Sequence, residues 1–198
     1  MILKVKLFLS AACCILIFSN CFNSSSKKET TKVISDEEYL EQGQKIAMMT
    51  FSTLSSNLQK AMKEGGVSHA VKYCNIAASP LVDSLEQVYQ ATIKRTSLKI
   101  RNPKNQANQD ERKQLESYQQ KHDSGTTLKP VLQKSGDNIT FYAPIHLMEL
   151  CGKCHGTIGE KLSPEDYLTV QELYPSDNAI NYKTGDLRGM WSISFRGK

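Results

Sequence analysis

Cys151-Gly152-Lys153-Cys154-His155 is the stretch on which the reading of this chain turns. Two thiols three residues apart can each add to one vinyl group of a haem, forming thioethers. The next residue then has its imidazole under the iron. With 6 Cys and 4 His in 198 residues, an accidental match is roughly a one-in-several-hundred event. The competing readings are a two-thiol redox pair closed as a disulfide, and half of a zinc site. Zinc would want a second pair of Cys or His at similar spacing, and the chain offers none. A thioredoxin-like pair sits at a helix start after a strand and gains nothing from the following His. The expectation is one covalent haem c, with Cys151 and Cys154 as its thioether anchors and His155 as an axial iron ligand.

The N-terminus supports that chemistry. Residues 1–20 read as an export signal: Lys4 and Lys6 form a positive n-region, and Leu7 to Phe18 an apolar core of about a dozen residues, too short to span a bilayer. Phe18-Ser19-Asn20-Cys21 resembles a bacterial lipobox with Phe in place of the usual Leu, so Cys21 is the expected lipidation site. Ordinary signal cleavage nearby is the alternative. Residues 21–35, with Asn23-Ser24-Ser25-Ser26-Lys27-Lys28, read as a flexible tether from a membrane surface. The expected location is periplasmic, or the outer surface of a bacterium, where haem attachment takes place.

Charge excludes one class. Lys and Arg number 25 against 20 acids; without Lys4 and Lys6 the balance is 23 against 20, or +3. That is no nucleic-acid footprint. Residues 36–198 suffice for one domain with one core.

Within that domain, Asp36 to Met62 carries Leu40, Ala47, Phe51, Leu54, Leu58 and Ala61 or Met62 at helical spacing, and Gly65-Gly66 stops the run. Met48, Met49 and Met62 read as flexible core packing rather than iron ligands. Val67 to Ser79 is a second helix, with Pro80 near its end or at a junction to residues 81–89. Val67, Val71, Cys74 and Ala78 share its apolar face. Ala91 to Ile100 alternates as a strand, and Arg101-Asn102-Pro103-Lys104-Asn105 breaks it. Asn108 or Asp110 caps a short helix ending near His122, with Leu115 and Tyr118 buried. Residues 127–133 and 138–145 form a hairpin across Ser135-Gly136-Asp137. Ser163-Pro164-Glu165-Asp166 starts a helix that Tyr174-Pro175 ends. Leu187 to Phe195 closes the chain as a strand, with Leu187, Trp191, Ile193 and Phe195 on one face. The fold class is α+β.

Cys74 stands alone. Cys13 and Cys14 belong to the signal, Cys21 to its boundary, and Cys151 and Cys154 to the haem, so Cys74 has no disulfide partner. Such a residue is either a small buried side chain or an iron ligand opposite His155. His69, His146 and His122 compete for that ligand position.

Four ordered motifs carry a resemblance: Arg95 to Asn105 (Arg95-Thr96-Ser97-Leu98-Lys99-Ile100-Arg101-Asn102-Pro103-Lys104-Asn105), the C-x-x-C-H run with Gly156, Tyr174-Pro175-Ser176-Asp177-Asn178-Ala179, and Gly185-Asp186-Leu187-Arg188-Gly189. Together they resemble the Tll-type c-type haem domain, a family long catalogued as a domain of unknown function. The resemblance covers most of residues 36–196. It implies a PAS-like antiparallel sheet flanked by helices, with one covalent haem. It also implies axial ligation by His155 and, from an N-terminal helix, Cys74.

A thiolate opposite His stabilises Fe(III) and sets a reduction potential below that of a Met/His cytochrome. Three functions then compete: low-potential electron transfer to a redox protein partner, a redox or CO/NO sensor acting through a separate signalling protein, and a peroxidase. The peroxidase ranks last, because two strong axial ligands leave no open iron position. Arg95 and Arg101, with Lys99, read either as contacts to the haem propionates or as a solvated strand face.

Overall fold

Ser35 starts the first helix. In the computed structural model, which describes residues 34–195, its hydroxyl accepts from Glu38 N (3.2 Å) while Glu38 accepts from Ser35 N (2.9 Å). This reciprocal capping box satisfies two amides that would otherwise lack partners. The export signal, Cys21 and nearly all of the tether lie outside the described residues.

Helix α1 (Asp36–Tyr89) is interrupted where the glycine pair predicts. Gly65 (φ −159°) and Gly66 (φ 73°) leave helical geometry, and the second is a conformation that L side chains resist. Two arms result, 36–64 and 67–89. Of the two readings of Pro80, helix end or junction to residues 81–89, the first does not hold: the helix runs through it to Tyr89. Val82 and Leu85 beyond it pack on the core, and that burial offsets the missing amide.

The sheet has order β1-β4-β3-β2 and is antiparallel throughout: β1 (Ala91–Thr96), β2 (Val131–Ser135), β3 (Asn138–His146) and β4 (Leu187–Phe195). A two-residue turn, Gly136-Asp137 with Gly136 at φ 58°, joins β2 to β3. One face carries Ala91, Ile93, Phe141, Ala143, Trp191 and Ile193, and Ile46 and Ala47 of α1 pack on it. The other carries Tyr142 and Met190 beneath Leu115 and Tyr118 of α2 (Gln109–Asp123). Asn108 caps α2 through a second capping box, with Glu111. The expected antiparallel sheet flanked by helices, in an α+β domain, is therefore what forms.

Four details depart from expectation. Leu40 and Phe51 are 36% and 41% exposed, while Gly43, Ile46, Ala47 and Thr50 are buried. The helix turns its small residues inward: a Cβ on Gly43 would stand 2.2 Å from Cγ of Phe141, so only glycine permits this approach. Met48 and Met49 are exposed and pack no core. The first strand ends at Thr96, not Ile100, and Leu187 joins the α2 face rather than that of Trp191. A β-bulge causes the latter: Ile145 pairs with Gly189 and His146 with Leu187, so Arg188 has no counterpart and the alternation shifts there.

The Cys-rich segment follows β3. A 3-10 turn over Glu149–Cys151 runs into the single-turn helix α3 (Gly152–His155). Ser163 then caps α4 (Pro164–Leu173), accepting from Asp166 N at 3.1 Å, and Tyr174 ends it. Among the described residues no helix is long and apolar enough to cross a membrane.

Candidate functional site

Cys151 closes the 3-10 turn and Cys154 and His155 sit on α3, while the loop 177–182 fixes the imidazole. His155 Nδ1 lies 2.7 Å from Ala179 O. A carbonyl only accepts, so Nδ1 carries the hydrogen and Nε2 keeps its lone pair. Tyr182 N donates to His155 O (3.0 Å), and Asn181 N to Gly156 O (3.1 Å). Gly156 is required here, because a Cβ would stand 2.5 Å from Gly152 O.

Arg101 locks this loop from beneath. Its Nη2 donates to Cys154 O (2.6 Å), Asp177 Oδ2 (3.0 Å) and Ala179 O (3.4 Å). Asp177 Oδ1 in turn accepts from Ala179 N at 2.9 Å. The pair is enclosed, with side chains 13% and 1% exposed. One buried ion pair thus ties the thiol-bearing turn to the carbonyl that orients His155.

Electrostatics show which groups converge. Burial holds the His155 pKa well below its usual value, and Arg188, Arg101 and Arg95 add to the effect; the imidazole is neutral. Burial pushes the Cys154 thiol up to about 11 against the pull of Arg101, and Cys74 is among the charges that act on it. Burial raises Cys74 as well, opposed by Arg95. Arg95 and Arg188 are lowered first by burial; Arg188 then acts on Arg95, and Arg101 on Arg188. Cys74, Arg95, Cys154, His155 and Arg188 all keep some accessible surface although burial dominates their titration. Arg95 acts on both Cys74 and His155, Cys74 on Cys154, and Arg188 on His155, so these groups neighbour one another.

Cys74 lies on the expected stripe: Ala70 and Val71 are buried one turn earlier, and Ala77 and Ala78 half-buried one turn later. Cys74, Cys151 and Cys154 are all free thiols. Among the described residues no three His, Cys, Asp or Glu side chains close on a common point that could hold a metal ion. The remaining histidines are engaged elsewhere. His69 stands 3.7 Å from Glu64, and the rings of His122 and His146 lie 5.9 Å apart.

The solvated-strand-face reading fails for the basic residues. Arg95 is half-buried, its guanidinium 6.0 Å from the centre of the Trp191 ring. Lys99 Nζ donates to Ile180 O (2.6 Å) and sits over the Tyr182 ring. Sequence reasoning assigned no role to Asp177, Tyr182 or Arg188. All three fall in or beside the four ordered motifs. For Arg188 a signal existed, since a glycine following it inside a strand pattern suggests a bulge.

The profile of the Tll0287-like family matches residues 23–196. Among solved structures, the chain is similar to the crystal structure of the cyanobacterial heme-protein Tll0287. The TM-score is 0.62 at 20% identity, over 83% of this chain and 98% of that one. No curated protein matches the chain. A match over that share of the sequence, with the same fold, places the chain in the Tll0287-like family.

Proposed function

We propose that this chain is an exported haem protein with one covalent haem c, working at low potential in electron transfer or redox sensing. Cys151 and Cys154 would hold the group by thioethers, His155 and Cys74 would supply its axial ligands, and Cys21 would anchor the chain to a membrane surface. The observation that carries the reading is His155. A C-x-x-C-H imidazole is held neutral, with Nδ1 on a backbone carbonyl and Nε2 unspent, and Cys74 is near enough to Cys154 to act on that thiol. The donor types also fit haem: the two free thiols of the C-x-x-C run, the imidazole that follows them and a third free thiol on α1.

When bound, haem supplies a one-electron Fe(III)/Fe(II) couple. The residues do the rest. Ala179 O orients the imidazole and raises its basicity. Arg101 and Asp177 hold that carbonyl in place. Cys74, as a thiolate, would lower the potential relative to a neutral sulfur ligand. Membership of the Tll0287-like family, together with a fold shared with a cyanobacterial heme-protein, supports haem as the partner.

A second reading, a CO or NO sensor working through a separate protein, has one observation in its favour. Cys74 rides on the arm that begins after the Gly65-Gly66 break, an element with a built-in pivot. Optical spectra and redox titration of Cys74→Ala test the ligand assignment. Altered bands in both oxidation states and a raised potential are the expected result. An unchanged spectrum and potential would remove Cys74 from the iron.

A further inference from the structure

Arg188 is placed by a device, not by strand alternation. It is the residue left without a counterpart where β4 slips against β3, between the pairs Ile145–Gly189 and His146–Leu187. Bulges re-aim a side chain and often stand beside functional sites. The slip rests on Gly189, where a Cβ would come within 2.3 Å of Thr96 O on β1.

The side chain so aimed is incompletely satisfied. Nη1 donates to Lys99 O at 3.1 Å, and the guanidinium lies 5.3 Å from the centre of the Tyr182 ring. Its Nε is buried and has no partner. Among the described residues neither Arg188 nor Arg95 forms an ion pair with a carboxylate. Arg101 differs: its Nε also lacks a partner, but Asp177 already neutralises its charge. Two half-buried cations near His155 therefore lack a carboxylate partner of their own. Burying a charge unpaired is costly enough that a counter-charge is expected.

We propose that Arg188 and Arg95 form the carboxylate clamp of this site, receiving the two propionates of the haem, while Arg101 is a structural ion pair. The inference rests on the haem reading above and goes further by assigning Arg188, whose planar fork suits bidentate carboxylate binding. Other groups facing the pair are Cys74, Tyr174, Asp177, Tyr182, Arg101 and His155, with Lys99 over the same Tyr182 ring. Asp177 is the carboxylate among them, and it is committed to Arg101.

The test uses the full chain expressed with a working c-type maturation system, as wild type, Arg188→Gln, Arg188→Lys and the exposed control Lys134→Gln. Resonance Raman reads the propionate bending bands, and redox titration reads the potential from pH 5 to 9. With the clamp intact, the propionates stay ionised and the potential is flat near neutrality. In Arg188→Gln a propionate left without its partner titrates upward, so the bending bands shift and the potential falls with pH. The steepest slope approaches about 59 mV per pH unit, one proton per electron. Arg188→Lys keeps the charge and restores part of the flat profile. Should Arg188→Gln not fold, Arg188→Lys alone decides, because loss of the planar fork must still shift the bending bands. Unshifted bands and a wild-type pH profile in a folded, haem-loaded variant would overturn the clamp. Wild-type protein without covalent haem would instead overturn the reading on which it rests.

Discussion

Removing the carboxylate of Asp177 should destabilise the protein far more than removing a surface ion-pair partner. Asp177 is 1% exposed and its partner Arg101 13%. Asp177→Ala leaves an enclosed guanidinium unpaired, which costs about 3–5 kcal/mol. Loss of the bond from Ala179 N (2.9 Å) adds about 1 kcal/mol, for a total of about 4–6 kcal/mol. Lys134 pairs with Asp36 at the surface, with side chains 53% and 61% exposed, so Lys134→Ala should cost about 0–1 kcal/mol. Urea unfolding of the full chain, analysed by linear extrapolation, measures both. The double variant Arg101→Met/Asp177→Leu should recover part of the loss, because it removes the stranded charge as well. An Asp177→Ala cost below about 1 kcal/mol would refute the claim that this pair locks the His155 loop.

Two further predictions rest on the core and on a buried phenol. Gly43→Ala gains about 1 kcal/mol of helix propensity but drives a Cβ to 2.2 Å from the fully buried Phe141 ring. Overpacking of about 1–3 kcal/mol should win, so the urea midpoint falls; a rise would show that α1 packs less tightly on the sheet. Burial raises the Tyr142 pKa from 10 to about 12, with Glu111 and Asp110 adding to it. The folded state therefore holds this proton more firmly than the unfolded chain. The associated stability is complete below pH 10 and lost as pH rises toward 12. Tyr142→Phe should flatten that part of a stability–pH curve, and an unchanged curve would assign the alkaline loss elsewhere.

Periodicity and turn chemistry made much of this fold legible. Asn108 and Ser163 announced their helices, Gly65-Gly66 the break in α1, and Ser135-Gly136-Asp137 the hairpin. On the first arm of α1 the expected stripe holds at Ala47, Leu54 and Ala61 but not at Leu40 and Phe51, because the buried side also takes the small residues Gly43 and Thr50. Tyr142 was missed because alternation assumes one wet face, and α2 covers the second. At the site, the cysteines and His155 were readable from spacing. The partners of Arg101 were not, since they are a carbonyl at 154 and a carboxylate at 177 that only the folded loop brings together. Arg188 escaped for a related reason: one unpaired residue in β4 redirects it, and a strict period of two has no place for that shift.

The most direct test of the central claim is intact mass of the purified full chain, after expression with a haem-attachment system, before and after acid–acetone extraction. Thioether attachment predicts one haem per chain that survives extraction and maps to a peptide containing Cys151 and Cys154. Pigment that extracts, or a Cys151–Cys154 disulfide in protein lacking the added mass, would contradict it.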